Sequence, residues 1–70
     1  MYKTVFTDVG MQKLCFEIET ETEPTEAELE NAVKSNLGVG DVHTGQGRVY
    51  LPGKNPGNFL CYGTYATTKQ

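Results

Sequence analysis

Long apolar runs are missing from the seventy residues: nothing approaches the roughly 18 that a membrane-spanning helix needs. Nor is there a basic-then-apolar leader of the secretory kind. A membrane span is therefore not expected, and the expected address is the cytoplasm. Cysteine is scarce, with Cys15 and Cys61 alone. Small secreted scaffolds carry more, so a reduced pair is expected rather than a disulfide framework. His43 is the lone histidine, and with the two cysteines it falls short of the four ligands of a structural zinc site. No cofactor and no metal are expected. Basic residues are few as well, six against nine acidic ones, for a net charge of −3. That balance offers little attraction to nucleic-acid phosphates.

The acidic residues are unevenly placed. All seven glutamates fall inside EIETETEPTEAELE, residues 17–30. Over residues 1–30, Lys3 and Lys13 stand against Asp8 and those seven glutamates, leaving −6. Over residues 31–70, Lys34, Arg48, Lys54 and Lys69 stand against Asp41, leaving +3. Asymmetry of this kind bears on partners and association rather than on fold.

Periodicity supplies the fold. YKTVFTDV, residues 2–9, alternates with β-branched and aromatic residues, as a strand does. Gly10-Met11 fits a two-residue type II′ hairpin turn, and residues 12–21 form the returning strand. Counting from that turn sets Phe6 opposite Cys15, Val5 opposite Phe16, and Asp8 opposite Lys13 as an ion pair. One face then collects Val5, Thr7, Leu14, Phe16 and Ile18 as core. The other collects Tyr2, Thr4, Phe6, Cys15, Glu17 and Glu19. Pro24 ends the strand. TEAE at 25–28 is a capping box, and Leu29, Ala32, Val33 and Leu37 form the apolar stripe of a helix over 26–37 closed by Gly38. Residues 38–47 read as a glycine-rich loop with a short strand at 42–44. RVYLPG is a strand, Pro56-Gly57 marks a turn, and residues 59–68 are the last strand, with apolar residues on both faces.

The expected fold class is thus α+β, a single domain over 1–70 in the order ββαββ. A four-stranded mixed or antiparallel sheet carries one helix on one face, since each layer must bury an apolar side. In element order, and in that alone, the arrangement resembles β-grasp domains. That resemblance implies parallel first and last strands at the centre, with the helix as a right-handed crossover.

Catalytic patterns do not assemble. Cys61 and His43 are the one conceivable nucleophile–base pair, and nothing in the spacing brings them together. The glutamates look uniformly solvated, not driven apart in environment as acid–base pairs are. The glycines at 38/40 and 45/47 match no phosphate-binding loop. Two surfaces stay in contention. Glu17, Glu19 and Glu21 share parity, so in a strand they form a row about 6.5–7 Å apart, close to a phosphate repeat. With Tyr2 and Phe6 beside them, they would face a protein partner with a basic surface. Edge defence and first-turn helix chemistry are the ordinary explanations of such charge. The second surface is a stacking platform for single-stranded nucleic acid made of Arg48, Tyr50, Lys54 and Tyr62, with Phe59 and Tyr65. Cross-strand packing competes with that reading.

The expectation is therefore a non-enzymatic interaction module. By analogy of size and charge, it resembles a virus- or plasmid-encoded inhibitor or adaptor acting on a nucleic-acid-binding protein. Homodimerisation through the exposed edge of strand 12–21 is a third possibility.

Overall fold

The computed structural model describes residues 1–55 and 57–70. Pro56, on which the expected Pro-Gly turn rests, lies outside them. Six elements follow the chain: β1 (Tyr2–Val9), β2 (Leu14–Thr20), α1 (Glu26–Leu37), β3 (His43–Gly45), β4 (Arg48–Pro52) and β5 (Phe59–Lys69). The strands form one five-stranded sheet in the order β2-β1-β5-β4-β3, and every neighbouring pair is antiparallel.

This corrects the four-stranded ββαββ expectation and its parallel centre. The segment read mostly as loop supplies a further strand. His43–Gly45 pairs with Arg48–Tyr50 around Gln46 and Gly47, whose φ values of 53° and 79° are the positive pair that a tight type I′ turn requires. The extra strand also explains the inverted direction. α1 carries the chain from one sheet edge to the other, so that β2 and β3 point the same way. Three alternating strands after the helix, rather than two, then leave β5 antiparallel to β1.

The first hairpin departs from the expected register for an equally local reason. The loop is not Gly10-Met11 but the turn spanning residues 10–13, closed by Lys13 N–H donating to Gly10 O at 3.1 Å. A bulge lies between Phe6 and Val9, with Asp8 at φ 54°. Together they pair Phe6 with Phe16, Val5 with Glu17 and Thr4 with Ile18. One residue of slip turns a whole strand over. β2 keeps the expected facing, and β1 reverses it. Phe6 and Thr4 are fully buried, while Val5 is 41% exposed. The expected Asp8–Lys13 ion pair is not among those formed by the described residues.

Phe6 is the centre of the result. Its ring stacks on Phe16 at 4.6 Å and tilts against Tyr65 at 5.8 Å. Around it the core gathers Val9, Leu29, Val33, Val42, Val49 and Leu51, with Ile18, Ala32, Leu37 and Tyr62 packed at the margin. Burying a phenylalanine in place of a valine gains more apolar area, at about 25 cal/mol per Å².

β5 carries a second irregularity. Arg48 faces Thr64 but Tyr50 faces Cys61, so an extra residue of β5 is accommodated between them. Gly63 sits there at φ 127°. The bulge lets Tyr62 and Tyr65, three positions apart, both pack against the core. Strict alternation forbids that, which is why neither parity of residues 59–68 fitted the sequence.

α1 starts and stops as its sequence dictates. Thr25 Oγ1 accepts from Glu28 N–H at 3.2 Å, and Thr25 N–H donates to Glu28 Oε1 at 3.1 Å. Gly38, left-handed at φ 69°, donates to Lys34 O at 2.8 Å. The helix buries Leu29 and Val33 in the core shared with Phe6, Val9 and Val49. A further anchor comes from Glu30, whose Oε2 accepts from Thr44 N–H at 3.3 Å.

Thr44 itself is 8% exposed, and its Oγ1 has no hydrogen-bond partner among the described residues. An unpaired buried hydroxyl costs about 1–3 kcal/mol. Thr44→Val keeps the β-branched shape and removes that penalty, so urea denaturation is expected to show a gain of about 1 kcal/mol.

Candidate acidic edge and open sheet face

α1 covers one side of the sheet and leaves the other open. The register assigns Cys15, Glu17 and Glu19 of β2, and Lys3, Val5 and Thr7 of β1, to the open face. Thr64, Ala66 and Thr68 of β5, with Arg48 and Tyr50 of β4 and His43 of β3, continue that face. Its centre is short side chains, and its two ends differ in character.

At the β2 end stand Glu17 and Glu19, both exposed. Glu21 follows in the bend just after the strand, also exposed. Lys3 is the neighbouring cation: its Nζ lies 3.4 Å from Glu17 Oε2, and its Cα pairs with that of Glu19. At this exposure such a pair is worth about 0–1 kcal/mol. One lysine cannot neutralise the row, so the edge remains negative.

The expected aromatic companions are elsewhere. Phe6 is buried on the opposite side of the sheet, which overturns its place beside the glutamates. Tyr2 shares that inner side with Thr4 and Phe6, pairing with Thr20 and Lys69 and staying half-buried. Neither expected aromatic residue thus stands beside the acidic row. Its apolar neighbour is Val5 instead, a residue the sequence assigned to the core.

The second expected surface is divided too. Arg48 and Tyr50 lie on the open face, at its other end. Tyr62 packs against the core beneath the sheet. Lys54 and Tyr62 border an open concavity of about 540 Å³ together with Met11, Pro52 and Leu60. The residues that do join Tyr50 were not singled out as a set. His43 reaches over β4 and meets Phe59 edge to face at 4.4 Å, with Asp41 Oδ1 3.8 Å from His43 Nε2. Pairing of the short strand β3 with β4 in a hairpin, which the sequence did not reveal, brings His43 there. A larger concavity of about 620 Å³ opens between the first hairpin loop and the end of α1, lined by Met11, Leu37, Val39 and Leu51 among others. It holds none of the sequence-expected site residues.

The two sheet edges are treated differently. β3 is short, at three residues, and Glu30 occupies the Thr44 N–H. β2 has seven residues, contains no proline, and pairs only with β1 among the described residues. Natural sheets shorten, cover or charge their edges. Here one edge is shortened and covered, and the other bears charge alone.

Cys15 and Cys61 are both free and exposed. No described helix is long and apolar enough to cross a membrane. Compared with protein-family models, with curated protein sequences and with solved structures, the chain matches none.

Proposed function

We propose that the protein is a non-enzymatic interaction module that presents the acidic β2 edge to a basic surface of a protein partner, as an inhibitor or adaptor does. The observation that carries this reading is the exposed Glu17 and Glu19 of β2, with exposed Glu21 in the bend just beyond, and Lys3–Glu17 as the one ion pair they form among the described residues. Like charges at two-residue spacing repel, a cost that a single edge charge would avoid. A row at this spacing steers and orients a cationic surface. Three of the other four glutamates serve local structure. Glu28 closes the capping box, Glu26 lies in the first helical turn, and Glu30 holds Thr44.

A fluorescently labelled oligolysine peptide tests this reading. The triple variant Glu17→Gln, Glu19→Gln, Glu21→Gln is expected to bind it about tenfold more weakly at low salt, given roughly half a kilocalorie per exposed charge pair. A control removes the same charge elsewhere, with Glu23→Gln, Glu26→Gln and Asp41→Asn. It is expected to retain most of the affinity. Equal losses in the two variants would mean that net charge alone attracts the peptide, and the acidic-row reading would fall.

A further inference from the structure

We propose that the partner enters as an extended segment that adds to β2 as a sixth strand, with basic residues alternating with apolar ones. This rests on the functional reading above and specifies how the acidic edge is used. The free edge of β2 offers its backbone N–H and C=O groups over seven residues. An added strand satisfies those groups, while the two faces of the sheet receive its alternate side chains.

The two sides of β2 ask for different chemistry. Outward, Cys15, Glu17 and Glu19 are exposed, and the two carboxylates call for Lys or Arg at every second position. Inward, Leu14, Phe16 and Ile18 are only half-buried at the edge of the sheet. Apolar side chains at the intervening positions would continue the core row past Phe16 and Ile18 and cover them. The complementary segment therefore reads basic–apolar–basic–apolar over up to seven residues.

A second copy of this chain does not fit that description. In full overlap, two-fold antiparallel pairing of β2 with itself sets Glu17 directly opposite the other copy's Glu17, with that copy's Glu19 on the diagonal, and a shift of two residues sets Glu17 opposite Glu19. Like charges directly opposite destabilise a strand pair. The same row that attracts a basic segment discourages self-pairing.

Three labelled heptapeptides separate the possibilities, each with four lysines and three valines. One alternates Lys and Val, one places the lysines in a block, and one alternates but is N-methylated along the backbone edge that would face β2. The alternating peptide is expected to bind about tenfold or more tightly than either of the others. It should also weaken on the Glu17/Glu19/Glu21→Gln triple substitution. If all three bind alike and all depend on the glutamates, the acidic face stands and strand addition is overturned. If none binds even at low salt, both readings are overturned. Concentration-dependent dimerisation in sedimentation, abolished by Ile18→Pro, would assign the edge to a second copy and likewise overturn the proposal.

Discussion

Phe6→Ala is expected to leave the chain largely unfolded at room temperature, whereas Val5→Ala is expected to shift stability by under about 1 kcal/mol. Phe6 is fully buried between Phe16 and Tyr65, and its truncation removes both ring contacts. Phe→Ala in a core costs about 3–5 kcal/mol, and a domain this small rarely has more than that in total. Val5 is 41% exposed beside Glu17 on the open face and loses little. Urea unfolding followed by circular dichroism ranks the two variants. The order inverts if the first hairpin has the two-residue turn, because Val5 then faces the core and Phe6 faces solvent. A partial substitution, Phe6→Leu, keeps the comparison readable where the alanine variant fails to fold. It should still cost more than Val5→Ala.

Gly63→Ala is expected to be the next most damaging single change, on the order of 3 kcal/mol, from backbone strain and overpacking together. At φ 127° an L-residue is strained wherever it sits. Here the added Cβ would also lie 2.8 Å from Val9 Cα and 3.0 Å from Asp8 O. Backbone atoms cannot swing aside as a side chain can, so β1 and β5 would have to separate. The loss would extend to the Gly10 N–H···O Tyr62 bond of 3.0 Å that ties the first hairpin loop to β5. Gly38→Ala is the informative comparison. It has φ 69° but open space around the new Cβ, so it should cost only the left-handed strain of about 1–2 kcal/mol. Thermal midpoints of the two variants isolate the close approach at Gly63. Equal midpoints would mean that β5 runs without the bulge.

These two positions also mark where the sequence stopped being legible. The helix could be read residue by residue, because its cap, stripe and terminator are all local in the chain. β2 could be read as well, since Phe16 and Ile18 alternate cleanly with Glu17 and Glu19. β1 could not, because its facing depends on a bulge at Asp8 that no period-two pattern encodes. With Val5 and Phe6 adjacent, both facings bury something apolar, and only the larger gain from the phenylalanine decides. β5 failed for a related reason. Gly63 within the strand was the signal of a bulge, and counting on either side of it would have put Tyr62 and Tyr65 on one side. The short strand expected at 42–44 could not be placed in the sheet, because its hairpin partner hid behind Gln46-Gly47, which is not the usual Asn-Gly or Asp-Gly pair. Three residues paired across it were enough to add a strand and to reverse the direction of β5.

For the candidate site the outcome divides along the same line. Glu17 and Glu19 stood where β2 parity put them. Tyr2 and Phe6, assigned through the register of β1, moved to the other side of the sheet. The significance of the β2 edge emerged only with the topology, because an edge exists by virtue of what fails to pair with it. The contrast with β3, capped by Glu30, needed the extra strand to be known.

The most direct measurement is residue-resolved amide hydrogen exchange of the full chain, with and without the alternating lysine–valine peptide. Strand addition predicts new protection at alternate amides within Leu14–Thr20, the edge strand, with little change in Arg48–Pro52 at the far end of the open face. Unchanged exchange along β2 in the presence of bound peptide would contradict docking at this edge.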